Sequence, residues 1–285
     1  MKEKITIAID AMGGENAPNK NIHGMSIFLN NNKQINDCFF NIYGNEQLIN
    51  EEIDKYNIDK NKVKIFNTLS VVSDEETPLT AVKNSKNSSM WKSINSQTID
   101  GADISLSAGN TGVLLVISRM ILKTIEQINK PALAGLWPSK KGISVVLDLG
   151  ANVECDDKNL VDFSELGAAL YKSIFPNSIP KVALLNIGLE EIKGTEAIKK
   201  AHIKLKEISN YGDFKFNGYI EGNKIMDGDS NVIVTDGFTG NVALKTAEGT
   251  AKFITDTLKS SLKENFISKI SLIFSYFSLK NLKRN

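Results

Sequence analysis

The feature that most constrains this chain is a rhythm. A short β-branched run is followed by a loop rich in Gly, Asn and Asp, then by a longer stretch with helical spacing, and the unit repeats. Such runs stand at residues 5–9, 39–43, 63–66, 104–106, 143–147, 182–185 and 232–234. Several are apolar nearly throughout, as strands covered on both faces are. Strands alternating with helical stretches predict an α/β fold: a mostly parallel sheet with helices on both faces. Residues 159–175 and 241–263 carry the clearest helical spacing. A chain of 285 residues allows one or two domains. No stretch reads as a linker, 176–180 reads as a loop, and no solenoid repeat is present. The expectation is one α/β domain over residues 1–265, followed by a basic amphipathic helix over 266–285.

Composition narrows the function. The net charge is only +1, so no global field recruits nucleic acid. The basic residues are almost all Lys, with Arg at 119 and 284 alone. Cys38 and Cys155 lie far apart, and neither belongs to a CxxC or Cys/His pattern. No metal site and no disulfide framework is expected, and a reduced cytoplasmic interior fits. The opening MKEKITIAID lacks the apolar region and cleavage site of a signal peptide.

The informative residues follow the strands. Asp10 follows ITIAI, Ser107 to Gly112 follow ISL, Asn152 follows VVLDLGA, Asn186 follows VALL and Asp236 follows VIVT. Ligands of open α/β sheets bind beyond the carboxyl ends of strands, so five polar clusters there suggest one shared cleft. The competing reading is that each cluster only makes turns and helix caps.

SAGNTG (107–112) reads as an anion cradle. Gly109 and Gly112 admit close backbone approach, Ser107, Asn110 and Thr111 add neutral donors, and a helix starting there points its positive end at the same place. A capped helix without a ligand is the alternative. DGFTGNVALKTAEG (236–249) repeats the arrangement with Gly237, Thr239, Gly240 and Asn241; Lys245 lies one turn beyond Asn241, as a charge for a phosphoryl group or as a solvated residue. IAIDAMGGENAP (7–18) places Asp10, Gly13 and Gly14 in a turn ahead of a proline suited to a helix start. It matches neither GxGxxG nor GxxxxGK[ST], against dinucleotide binding and ATP hydrolysis. LLNIGLEEIKG sets Asn186 and Gly188 before Glu190, Glu191 and Lys193, a second candidate cation or part of a solvated loop. His23 and His202 lie outside these clusters, and no GxSxG elbow is present. The chemistry these residues suit is positioning and electrostatic stabilisation of an anion.

Residues 251–285 hold seven Lys/Arg against two Asp/Glu. In 266–282 an apolar face (Phe266, Ile270, Ile273, Phe274, Phe277) opposes a serine face. Ten uncharged residues between Lys269 and Lys280 are too few to span a bilayer. The segment reads either as a helix on anionic lipid or as one packed on the core or a second subunit.

Together IAIDAMGG, the Pro78/Ser88/Ser89/Met90 segment, SAGNTG, DLGAN (148–152), LLNIGLEEIKG and DGFTGNVALKTAEG resemble the PlsX-type phosphate acyltransferases of bacterial phospholipid synthesis. The resemblance runs from about residue 5 to residue 263. It implies transfer of an acyl group from acyl-[acyl carrier protein] to inorganic phosphate, giving acyl phosphate for a membrane glycerol-3-phosphate acyltransferase. It also implies a phosphotransacetylase- or isopropylmalate-dehydrogenase-like fold, a homodimer, peripheral membrane association and no cofactor or metal. On that footing Ser107, Gly109, Asn110, Thr111 and Gly112 bind phosphate, Lys245 and Asn241 stabilise charge, and Asp10 and Asn152 orient. Gly13, Gly14, Asn186, Lys193, Asp236, Gly237 and Gly240 complete the binding set. Departures are Glu15 for the usual Asp, Lys83 for a frequent Arg, and an end at KNLKRN, short of the family's Gly-Gly-Ala loop, Leu-Gly turn and Lys-x-His-Gly segment. That ending opens an alternative: an inactive remnant binding carrier protein or membrane. A third reading is a phosphotransacetylase using acyl-CoA.

Overall fold

The computed structural model describes residues 4–263, apart from 33–36, 74, 78–79, 81–82 and 84. The chain packs into two compact units that meet in sequence at Pro131/Ala132. From sequence, residues 1–265 read as one domain. The stretch at the boundary, KPALAG, has a single proline and none of the Gly/Ser-rich composition that marks a flexible linker.

The first unit runs β1 (Ile5–Asp10), α1 (Asn19–Asn31), β2 (Cys38–Gly44), α2 (Glu46–Lys55), β3 (Val63–Asn67), α3 (Ser89–Ile99), β4 (Ile104–Ser107) and α4 (Thr111–Leu122). Its sheet is wholly parallel, in the order β3-β2-β1-β4. Side chains alternate across a strand, so each strand feeds two layers. Ile9, Phe40 and Ile42 bury against Ile22 and Met25 of α1 and Ile49 and Ile53 of α2. Ala8 and Tyr43 turn to the opposite face, with Ala102 and Phe66. Helices α3 and α4 share a further core of Met90, Ile94, Val113 and Ile117 with Val72.

The second unit runs β5 (Gly135–Ser139), β6 (Gly142–Leu147), α5 (Asp157–Ile174), β7 (Lys181–Leu185), α6 (Glu196–Ile208), β8 (Lys215–Ile220), β9 (Val232–Val234) and α7 (Gly237–Lys263). The order is β5-β6-β9-β7-β8, parallel except for the antiparallel edge strand β5. Val145, Leu147, Val182, Leu184, Val232 and Val234 face α5 and α6. Val146, Ala183, Leu185 and Ile233 face the other way, toward Ala243, Leu244 and Ala247 of α7. Every expected strand and both expected helices are present, with helices on both faces, but the strands form two sheets, one in each unit.

Among the described residues no helix is long and apolar enough to cross a membrane. The amphipathic segment 266–282 lies outside the described residues.

Candidate functional site

In the first unit the parallel register sets Asp10, the last residue of β1, beside Ser107, the last of β4. The Ser107 hydroxyl donates to Asp10 Oδ2 at 2.7 Å and accepts the Gly109 amide at 3.1 Å. The loops after the two strands interlock, because both are nearly bare of side chains. A Cβ on Gly13 would stand 2.5 Å from Asp10 Oδ2 and 2.9 Å from the Gly109 nitrogen. Gly14, at φ +85°, passes against the Ala108 carbonyl in a conformation that favours glycine. Asn21 of α1 closes the loop from behind, donating through Nδ2 to the carbonyls of Ala11 and Gly13, both at 2.9 Å.

Asp10 is 1% exposed. Burial pushes its carboxyl above its ordinary value, and the neighbouring Ser89 and Ser107 hydroxyls and the Met12 and Gly13 amides pull it partly back. Of these, the Met12 amide donates to Oδ1 at 3.3 Å. The buried Ser89 hydroxyl finds no well-angled partner among the described residues, yet lies near enough to favour the ionised form.

Asn110 caps α4. Its side chain accepts the Val113 amide at 3.1 Å, and its Nδ2 donates to the Glu76 carbonyl at 3.1 Å. The side chains of Ser107 and Asn110 thus hold the cradle's own shape. The helix start itself supplies the N–H groups of Thr111 and Gly112, which no α-helix satisfies internally.

In the second unit a buried carboxylate that sequence reasoning passes over organises the site. Asp148 is 0% exposed and accepts five hydrogen bonds: the amides of Leu133, Gly150, Ala151 and Asn152, and Asn152 Nδ2, at 2.7–3.1 Å. Its only signal is its place in DLGAN, where the loop doubles back over its own aspartate. The start of α7 then locks onto this loop. Asp236 accepts from the Thr239 amide and hydroxyl at 2.8 and 2.9 Å, and the Gly237 amide donates to the Asn152 carbonyl at 2.7 Å. A Cβ on Gly240 would overlap the Asp148 carbonyl oxygen, and Gly150, at φ +133°, passes Asn241. The structure therefore brings Asn152, Asp236, Gly237, Gly240 and Asn241 together.

Lys245 lies on an exposed face of α7 and pairs with Glu248 at 2.8 Å. Asn186, at the end of β7, ties the next loop by donating to the carbonyls of Gly188 and Lys193, both at 3.1 Å. Lys193 pairs with Glu190 at 2.9 Å. His23 stacks on Tyr56, and His202 on Tyr219. Among the described residues no group of His, Cys, Asp and Glu is placed to hold a metal.

Comparison with known proteins fits this geometry. A family model described as fatty acid synthesis protein matches residues 5–285. A phosphate acyltransferase of Pelagibacter ubique is 50% identical over 99% of this chain and 83% of its own length. Those of Ehrlichia ruminantium and Caulobacter vibrioides are 40% and 36% identical, over 82% and 77% of their lengths. Among solved structures, the EutD phosphotransacetylase from Staphylococcus aureus superposes with a TM-score of 0.61 at 14% identity, over 87% of this chain and 83% of that one. A phosphotransacetylase from Streptococcus pyogenes gives 0.61 at 15%, over 88% and 83%. At such identities the likeness is one of fold. The extent and identity of the curated matches settle the family: the chain belongs to the phosphate acyltransferases of fatty acid and phospholipid synthesis, and is an acyltransferase.

Proposed function

We propose that the chain transfers a fatty acyl group from acyl-[acyl carrier protein] to inorganic phosphate. A phosphate oxygen attacks the thioester carbonyl carbon, the C–S bond breaks, and acyl phosphate leaves with the free carrier thiol. The proton of hydrogen phosphate ends on that thiol, so the step needs no other reactant. The observation that carries this reading is the Asp10–Ser107 pair, a buried carboxylate joined to a hydroxyl beside the start of α4.

Phosphate is anionic at neutral pH and needs positioning more than activation. The backbone donors of Thr111 and Gly112, at the positive end of α4, suit it. Asp10, held above the usual carboxylate range, suits passage of a proton between phosphate and the leaving sulfur. In the second unit Asn152, Asp236 and Asn241 shape a second polar surface, and Lys245 and Lys193 are the candidate cations of that unit. The product is a reactive mixed anhydride, suited to immediate use by a second acyltransferase, which this reading places at the membrane.

The test is acyl phosphate formation by the purified chain, trapped with hydroxylamine, from palmitoyl-[acyl carrier protein] with and without phosphate. Palmitoyl-CoA runs in parallel. Phosphate-dependent product from the carrier-protein thioester is expected. Product from the CoA thioester alone would move the reading to a phosphotransacetylase, and thioester left intact by a folded chain would overturn it.

A further inference from the structure

Strand β4 is the edge of the first sheet. Its Leu106 stands in register with Ile9 of β1, on the side that α1 covers. Ile9 is buried there, but Leu106 is 47% exposed. Between α1 and these strands runs a cavity of about 390 Å³, walled by Ile7, Ile9, Met25, Phe28, Phe40 and Leu106. That volume lies within the range of small-molecule sites. One end of the cavity is polar, and it is the end already described: Asp10, Ser107 and Ala108 close it, with Lys20 and Asn21 of α1. Lys20, Gly24 and Phe28 are four residues apart and share one face of α1.

Gly24 is the telling residue. Glycine inside a helix is less favourable than alanine, so it calls for a reason. Close packing is not the reason here, because a Cβ at Gly24 would meet nothing within 4 Å. Gly24 is exposed and lines the cavity between the polar end and Phe28, where the absent side chain leaves open space.

We propose that this groove receives the unbranched hydrocarbon of the acyl substrate, laid along α1 with its carbonyl end at Asp10 and Ser107. The proposal rests on the acyl-transfer reading and deepens it by assigning the acyl subsite. Continuity with the Asp10–Ser107 end argues for the substrate's own tail as occupant. The groove fixes how chain length is sensed: each further methylene accommodated should tighten binding about fourfold.

The test compares the full chain with Gly24→Leu and Gly24→Ala. A Cβ at position 24 meets no neighbour, leucine adds bulk to the groove lining, and it is a better helix former than glycine. Calorimetry with decyl phosphate and ethyl phosphate reads binding of the tail apart from turnover. Transfer from butyryl- and palmitoyl-[acyl carrier protein] reads the chain-length profile. We expect decyl phosphate to bind at least 100-fold tighter than ethyl phosphate. Gly24→Leu should lose at least tenfold in decyl phosphate affinity and in palmitoyl kcat/KM, with butyryl kinetics within twofold and a melting temperature no lower than the parent's. Gly24→Ala, which adds a single methyl group to the lining, should fall between the parent chain and Gly24→Leu. An unchanged palmitoyl-to-butyryl ratio in Gly24→Leu, or equal loss on both substrates, overturns the groove while leaving acyl transfer standing. If no thioester yields acyl phosphate, the reaction assignment fails; decyl phosphate binding abolished by Gly24→Leu would then still support the groove, and binding indifferent to residue 24 would refute it.

Discussion

Each unit is organised around one buried aspartate at the carboxyl end of a strand, and the two are used in opposite ways. Asp148 is surrounded by donors: four backbone amides and the Asn152 side chain converge on it. Asp10 is as deeply buried and has fewer donors in hydrogen-bond geometry: the Ser107 hydroxyl at 2.7 Å and the Met12 amide at 3.3 Å, with the Ser89 hydroxyl and the Gly13 amide nearby. A carboxylate taken from water needs its lone pairs filled. Where they are filled the group becomes scaffold. Where they are not, burial raises the pKa, and capacity is left for a proton or a substrate donor. The comparison predicts that the second unit's carboxylate sets shape and the first unit's sets chemistry.

The largest effect should come from breaking the scaffold. Asp148→Ala strands four donors of the loop and the Leu133 amide, each of which loses its carboxylate partner, a type of bond worth about 1.5–3 kcal/mol. Gly240→Ala drives a methyl group into the Asp148 carbonyl from the other side. Either change should cost roughly 4 kcal/mol or more, beyond the usual range for single substitutions. Urea denaturation followed by far-UV circular dichroism checks this, and a loss under about 1 kcal/mol would show that the loop does not depend on the carboxylate.

Asp10→Asn should behave in the opposite way, with kcat/KM falling about 10²- to 10⁴-fold while the fold persists. The sign of its pH dependence follows from the raised carboxyl. A pKa that is higher in the folded than in the unfolded state favours folding fully below the ordinary value of 3.8, and that contribution is lost as pH rises through the raised value. Asparagine cannot ionise. The melting temperature of Asp10→Asn relative to the parent should therefore climb from pH 4 upward and level off once Asp10 is ionised in the folded state. A parent chain that gains stability over Asp10→Asn across that window would contradict the raised Asp10 carboxyl.

The two aspartates are unequally legible in the sequence. Asp10 closes an uninterrupted β-branched run and precedes Gly-Gly, so a strand end and a tight turn can be read directly. Asp148 lies in DLGAN, where Asn152 is the obvious polar candidate; the carboxylate's role exists only because the loop curls back to place four donors around it. Strands β5 and β8 escape for a related reason. Both are sheet edges, with Pro138 in one and Gly218 in the other, so neither shows the continuous apolar run of a central strand. The groove beside α1 is illegible because Gly24 acquires meaning only once β4 is placed at the sheet edge.

A smaller effect tests the boundary between shape and chemistry in the first unit. Asn110→Ala removes the cap of α4 and the link to the Glu76 carbonyl. The loss should be about 1–2 kcal/mol. The Michaelis constant for phosphate should rise at least tenfold with little change at saturating phosphate, because the displaced donors bind ground and transition states alike. A large fall in kcat would instead put Asn110 among the groups that meet the transition state.

The smallest effect belongs to Lys245, the exposed cation of the second unit. It is 68% exposed and already paired with Glu248, three residues along the same helix. Such a pair contributes about 0.2–1 kcal/mol at most, so Lys245→Ala should leave the denaturation midpoint nearly unmoved. If the second unit mainly sets shape, kcat/KM should fall less than tenfold, and the loss should shrink further as salt screens a charge acting from the surface. Steady-state kinetics across a salt series reads both. A loss matching that of Asp10→Asn and persisting at high salt would overturn the assignment of the second unit to shape, because a screened surface charge cannot produce it.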